Sequence, residues 1–514
     1  MPRKAKTNQE KLALAFYSVR EATEGGQVFN SSKISRSALS LLTSSGWVIK
    51  MYNNWYALTK PGAKEGDTVP YFSNYWEFVG KYLNDRLGRD YVLSPLASLG
   101  FHTDSASIPN QLTVYTSKST QGVTEFSHGL SLFVYHDKEL DKTYVTEKNG
   151  IKIFSLEKSI SKIPPGLFRQ PTPELIAAMN AVKGIPDLSK LLVLERNAQS
   201  AARIIKALQE VGRKKEADMI RRDFLAAGFS LPSDTDIEKQ SFAQIKGYKS
   251  SSAISIKLKT MWSLMSSQIS TLTNPKPTLK FYKTNLERIK AKINELYVND
   301  AYNSLSIEGY QVSEELIRKI ESGKWDPYRD EQDKQTVNAM AAKGYSDAFK
   351  GVLESLTKIY SGAGIEQEIE NGIFEWRRLL FGPSVRSGIL KPEDLAGFRT
   401  GPVYISGSHH VPVSYMKLND AIETYLECLK SETNPWVRAV LGHFIFVYIH
   451  PFQDGNGRIG RFIMNVLLVS AGFPWTVIRQ AERIKYMEAL ENASMKNDIR
   501  DFSKFIAKEM KFRS

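Results

Sequence analysis

Apolar positions in this chain alternate between two spacings, and the spacing predicts the elements. Near the N-terminus "EKLALAFYSVREA" places them at helical intervals, and "SSKISRSALSLLTSSG" does the same between capping serines and Gly46. "WVIKMYNNWYALTK" then reads as two strands turning at Asn53 and Asn54. Helices followed by a hairpin predict a winged-helix-like domain over residues 1–95. From 95 to 160 the short β-rich stretches "QLTVYTS", "LSLFVYH" and "IKIFSL" alternate with polar turns. "PTPELIAAMNAV" and "SAARIIKALQEVGRKKEADMIRRDFLAAG" return to helical spacing, so residues 96–275 are expected to be α+β and then helical. Serines and two prolines in "KSSSAISIKLKTMWSLMSSQISTLTNPKPTLKFYKT" predict a linker that ends near Pro277. Beyond it Leu286, Ile289, Ile293 and Leu296 repeat at intervals of three and four, and "VNAMAAKGYSDAFKGVLESLTKIYSG" and "LNDAIETYLECLK" continue the pattern. Residues 276–514 are expected to be mostly α-helical.

A length of 514 residues fits about three domains, and 42% hydrophobic with 24% charged residues is a globular composition. No apolar run reaches the roughly 18 to 20 residues of a membrane span, so no membrane partner is expected. The basic start "MPRKAKTNQEK" lacks the apolar stretch of a secretory leader, and Cys428 is the sole cysteine. Both features point to a reducing cytoplasm. Formal net charge is +14, and residues 1–60 hold nine Lys or Arg against Glu10, Glu21 and Glu24. That local excess makes duplex DNA a candidate partner of residues 1–60, with a protein as the alternative.

The chemistry concentrates in "HPFQDGNGRIGR", His450 to Arg461, where Gly455, Gly457 and Gly460 have the spacing G-x-G-x-x-G. A dinucleotide site would add a strand before, a helix after and an acid about twenty residues on, and "FIFVYI", "RIGRFIMNVLLVSAG" and Glu482 supply parts of this. The helical surroundings, however, offer no succession of strands and helices for a parallel sheet. A Walker loop is excluded because no Lys-Ser or Lys-Thr pair follows the glycines.

The other reading uses every polar residue. If 441–449 is a buried helix ended by Pro451, His450 faces a loop whose amides at Gly455, Asn456 and Gly457 can turn toward an anion. A helix beginning near Arg458 adds its positive end, and Arg458, Arg461 and Asn465 follow at spacings that reach a polyphosphate and its base. Asp454 offers a hard oxygen to Mg²⁺. An imidazole beside a magnesium-bound nucleotide can take a proton from an attacking hydroxyl. His443 is read as core, His409 and His410 as flap or surface residues, and Met464, Val466, Leu467 and Leu468 as helix core.

The stretch matches the Fic signature H-x-F-x-[D/E]-G-N-G-R-x-x-R at every fixed position, and residues 280–510 resemble a Fic core. The resemblance implies a mostly α-helical fold and transfer of AMP from ATP to a Ser, Thr or Tyr hydroxyl of a protein target. It implies His450 as general base, Asp454 as Mg²⁺ ligand, Gly455, Asn456 and Gly457 as anion hole, and Arg458 and Arg461 on the outer phosphates. "FRTGPVYISGSHHVPVSY" resembles the family's flap, a β-hairpin that aligns a target segment. "NSLSIEGYQVS" matches the family's inhibitory motif through Ser304, Glu308 and Gly309, on a helix expected near 300–310. Family logic pairs Glu308 with Arg461 in competition with the γ-phosphate.

The first 185 residues are similar to the N-terminal part of AbiE-type abortive-infection antitoxins, through "GWVIKMYNNWYAL" and "YVLSPLASLGFHTD". The combined expectation is an autoinhibited protein adenylyltransferase behind a winged-helix-like domain, in a regulatory or toxin–antitoxin-like role. Its alternatives are transfer of UMP or another phosphate-linked group, removal of AMP with Glu308 orienting water, and a DNA-binding regulator carrying a degenerate Fic sensor. Assembly into a homo-oligomer stays open.

Overall fold

The computed structural model describes residues 7–62, 67–105, 107–232, 252–277, 286–325 and 337–511. Arg3, Lys4 and Lys6, part of the N-terminal basic excess, lie outside the described residues. Two compact units are formed, one of residues 1–257 with 403–412 and one of residues 258–402 with 413–514. No helix among the described residues is long and apolar enough to cross a membrane.

The first unit opens with α1 (Asn8–Thr23), β1 (Val28–Asn30), α2 (Arg36–Ser44), β2 (Val48–Tyr52) and β3 (Trp55–Leu58). Thr7 and Glu10 form a reciprocal capping box at the start of α1, and the Ser35 side chain caps α2. Gly46, at φ +70°, ends α2, and Asn53, at φ 44°, makes the turn between β2 and β3. The strands form an antiparallel sheet in the order β1-β3-β2. Ala15, Val19, Phe29, Leu42 and Val48 close a small core between this sheet and the two helices.

The chain continues through α3 (Val69–Ser73), α4 (Tyr75–Leu87), β4 (Val92–Leu93), α5 (Pro95–His102), β5 (Gln111–Thr116), β6 (Gly122–Glu125) and β7 (Ser131–His136). These four strands form a second sheet ordered β4-β5-β7-β6, with β5 and β7 parallel. β8 (Val145–Lys148) pairs with β9 (Ile151–Phe154). Helices α6 (Leu156–Ser161), α7 (Pro165–Arg169), α8 (Pro173–Ala181), α9 (Ile185–Glu195), α10 (Ala198–Glu210) and α11 (Lys214–Ala226) complete the run.

Segment 403–412 belongs to this unit. Ile108 N donates to His409 O at 3.0 Å, and Gly407 N donates to Thr68 Oγ1 at 2.7 Å. The His409 ring lies 5.2 Å from that of Phe72, while Tyr404 and Val411 pack on the core that contains Phe72 and Ile108. The hairpin expected here is absent: residues 401–414 carry no strand, only a turn in which Ser408 N donates to Ile405 O at 3.1 Å. Backbone groups that a hairpin would pair with each other bond to Ile108 and Thr68 instead. His410, expected at the flap or surface, is buried.

The predicted linker is also corrected. Residues 253–270 form α12 (Ala253–Ser270), which buries Ile254, Leu258, Met261, Met265 and Ile269 at helical spacing. The serines suggested a linker, but this apolar stripe outweighs them.

The second unit contains α13 (Leu286–Glu295), α14 (Tyr297–Ile307), α15 (Glu314–Glu321), α16 (Val337–Tyr360), α17 (Ile365–Arg386), α18 (Leu418–Ser431), α19 (Pro435–Ile449), α20 (Asn456–Ser470), α21 (Arg483–Lys496) and α22 (Arg500–Lys511). "FIFVYI" is therefore helix, the C-terminal part of α19. α19 and α20 approach closely because glycines face the other helix. A Cβ at Gly460 would meet Val447 Cγ1 at 2.8 Å, so the third glycine of the motif serves helix packing.

Candidate active site

His450 caps the C-terminus of α19 in the left-handed region, at φ 54° and ψ 61°. Its N–H donates to Phe446 O at 3.0 Å, which turns the chain out of the helix. Ring Nδ1 lies 3.2 Å from Val447 O, so Nδ1 carries the proton and Nε2 presents a lone pair. Burial pushes the imidazole down to about 4, the Val447 carbonyl opposes this and Arg399 reinforces it. The ring is neutral at pH 7, the form a general base requires.

The loop from Pro451 to Gly455 then delivers the chain to α20. Asn456 braces the loop, accepting from Phe452 N at 3.0 Å and donating to Phe452 O at 2.8 Å. Its side chain is thereby spent on shape, leaving its backbone to face an anion. Gly455 adopts φ +92°, and a Cβ there would meet Phe381 at 2.8 Å. The first-turn N–H groups of α20 have no intrahelical acceptors, and the helix dipole adds positive potential at the same place.

Asp454 Oδ1 accepts from Gly455 N at 2.5 Å and from Arg458 Nη2 at 3.1 Å, while the carboxylate stays more than half exposed. No group of three or more His, Cys, Asp or Glu gathers among the described residues to cage a metal. A lone exposed carboxylate suits Mg²⁺, which commonly takes one or two protein oxygens and completes its shell with water and phosphate.

Arg458 is fully buried, with its guanidinium 5.0 Å from the Tyr310 ring and 4.9 Å from the Phe381 ring. Arg461, also buried, donates from Nε to Ser304 Oγ at 2.9 Å and from Nη2 to Ser304 O at 3.1 Å. The same Nη2 donates to Glu308 Oε1 at 2.7 Å. Burial works against the Arg461 charge, but Glu308 outweighs it and the guanidinium pKa is raised. Glu308 follows α14, and Gly309 at φ +87° turns the chain away. The carboxylate lies over Gly457, where an added Cβ would collide with Oε1. From the other side α14 is held by Gln480 N donating to Asn303 Oδ1 at 2.7 Å and Arg483 Nε donating to Ile307 O at 2.8 Å.

The structure thus brings His450, Asp454, Gly455, Asn456, Gly457, Arg458, Arg461, Ser304 and Glu308 together. Asn465 is the exception. Its amide accepts from Thr476 N at 2.7 Å and donates to Thr476 O at 3.1 Å, and the side chain is buried. It anchors the loop after α20. His443 is buried, held down at about 3 by desolvation and then by Arg461, with Nε2 2.9 Å from the Tyr486 hydroxyl. Sequence reasoning missed Tyr310, Phe381 and Arg399. Tyr310, two residues after Glu308, could have been picked up from position; nothing local marks the other two.

Residues 367–468 match the family model described as Fic/DOC, a span that contains the whole His450–Arg461 loop. This stretch is similar to Fic/DOC domains. A protein adenylyltransferase Fic from Nematostella vectensis is 32% identical over 224 residues, covering 43% of this chain and 48% of that relative. One from Drosophila erecta is 31% identical over 233 residues, covering 44% of this chain and 42% of that relative. The chain therefore spans less than half the length of these curated relatives. A solved structure of Fic-1 (aa134–508) from C. elegans is 21% identical, covers 69% of this chain and 88% of that one, and superposes with a TM-score of 0.35.

Proposed function

We propose that the Fic domain transfers AMP from ATP to a hydroxyl of a protein target. The observation that carries the reading is the arrangement within one short loop: a neutral imidazole with Nε2 presented, an exposed carboxylate and the N-terminus of α20. The target hydroxyl gives its proton to His450 Nε2 as its oxygen bonds to the α-phosphorus. The bond from that phosphorus to the bridging oxygen breaks, pyrophosphate leaves, and AMP remains as a phosphodiester on the Ser, Thr or Tyr side chain. Backbone amides at Gly455, Asn456 and Gly457 hold the α- and β-phosphates, and Arg458 and Arg461 hold the outer ones. Mg²⁺ on Asp454 would neutralise phosphate charge there.

Glu308 restrains this chemistry in the same reading. It occupies the Arg461 donor that the γ-phosphate needs and covers Gly457. ATP then loses its outer anchor, and its α-phosphate is not aimed at the hydroxyl.

Incubation with ATP labelled at the α- or γ-phosphate tests the reaction. Protein should retain label from the α position only, and peptide mapping should place it on a hydroxyl. Retention of the γ label would contradict the reading. Stronger labelling from α-labelled UTP would establish UMP transfer instead, and release of AMP from a modified protein would establish the reverse reaction.

The N-terminal unit supports a second activity, duplex DNA binding by a winged-helix-like fold. The specific support is the β1-β3-β2 sheet order with α2 preceding the β2–β3 hairpin, and exposed Arg36 and Lys50 on α2 and β2.

A further inference from the structure

We propose that Arg399 is a positioning residue that fastens the backbone of His450 to both roots of the 403–412 segment. Its side chain is buried, and its guanidinium makes three contacts. Nε donates to His450 O at 2.8 Å, Nη1 to Gly401 O at 2.9 Å and Nη2 to Val413 O. Its own backbone N donates to Pro451 O at 3.0 Å. Gly401 precedes the segment and Val413 follows it, so one planar fork ties the start, the end and the base together. A lysine ammonium has no such fixed geometry.

His450 needs this support. A residue with a Cβ in the left-handed region is there because its surroundings hold it. Phe446 O holds its N–H, and Arg399 holds its carbonyl. The ring direction, and with it Nε2, follows from those two anchors and Val447 O.

Every acceptor named for Arg399 is a neutral carbonyl, so its charge has no carboxylate in these contacts. Burial lowers its pKa to about 10, and its field in turn disfavours the imidazolium of His450, against Glu308 and Asp454, which favour it. The residue therefore acts on the base twice, through geometry and through charge. Within the 403–412 segment itself, Gly407 N donates to Thr68 Oγ1 and His409 O accepts from Ile108 N.

This inference rests on the AMP-transfer reading, and the test separates the two. Arg399→Lys and Arg399→Gln are made in the full chain carrying Glu308→Gly, with melting temperature recorded for each. Both should lose at least about tenfold in kcat while the KM for ATP changes by less than about twofold, the pattern of misplacement. The acid limb of the pH profile should move upward by about half a pH unit or more for Arg399→Gln and stay in place for Arg399→Lys, which keeps the charge. The same order should appear when the His450 ring is titrated by NMR in histidine-labelled protein, assigned by its loss in His450→Ala. Full activity of Arg399→Lys would overturn the proposal, as would a His450 titration identical in Arg399→Gln and the parent. Should the parent transfer no AMP, the transfer reading fails, yet the NMR titration still decides the role of Arg399.

Discussion

Glu308 Oε1 accepts from Arg461 Nη2 at 2.7 Å, joining residues 153 positions apart. The contact is charge-assisted, about 5% exposed on the arginine side and 25% on the glutamate side. Ser304 takes Nε through its hydroxyl and Nη2 through its carbonyl, and Nη1 is buried with no acceptor among the described residues. Most of the fork is therefore turned toward α14. A phosphate arriving at Arg461 must displace a carboxylate that is already in place and preorganised by the helix carrying it.

The base should remain competent in mild acid. His450 is held at about 4, against about 6.5 for an ordinary histidine. Transfer should keep most of its pH 7 rate at pH 5.5, where an unperturbed histidine would be mostly protonated. Stability moves the other way. His450 and His443, at about 4 and about 3, are neutral when folded and take up protons on unfolding, so stability is fully present above about pH 6.5 and falls below it. Rate–pH profiles and urea midpoints at pH 7.5 and 5.5 check both statements.

The aromatic sandwich on Arg458 should matter for ATP. Tyr310 and Phe381 flank the guanidinium at 5.0 and 4.9 Å, and such contacts contribute about 0.5 to 2 kcal/mol each. Tyr310→Ala should weaken ATP binding by about 3- to 30-fold, read by calorimetry in the Glu308→Gly background. An unchanged affinity would show that Arg458 is oriented without Tyr310, by Asp454 and Phe381.

The clustering of the loop from His450 to Arg461 was legible because it is local: imidazole, carboxylate, glycines and arginines lie within twelve positions. The packing role of Gly460 was not, since it depends on Val447 arriving across a helix interface. Arg399 and Phe381 were invisible for the same reason, as each reaches the site only after residues 51 and 77 positions away, His450 and Arg458, have folded against it. "FIFVYI" fitted strand and helix equally, because a short apolar run carries no period. Asn465 had the right spacing from Arg461, but Thr476 claims its amide. The 401–414 segment was expected to pair with itself, whereas Gly407 and His409 pair with Thr68 and Ile108, about 300 positions away in sequence.

If the N-terminal elements bind duplex DNA, the full chain should do so with an affinity that falls steeply as salt rises. Arg36→Ala with Lys50→Ala, both on exposed positions of α2 and β2, should weaken binding and flatten the salt dependence. Fluorescence anisotropy across salt concentrations is the check. No binding at low salt would favour a protein partner for this unit.

The most direct test of the account is incorporation of labelled AMP by the wild type, Glu308→Gly, and Glu308→Gly combined with His450→Ala, at equal concentration. Freed from its carboxylate, Arg461 should raise transfer, self-modification included, by at least about tenfold, equivalent to roughly 1.4 kcal/mol of barrier. The double variant should be silent while still binding ATP. A folded, ATP-binding Glu308→Gly protein no more active than wild type, or a double variant as active as the single one, would contradict the account.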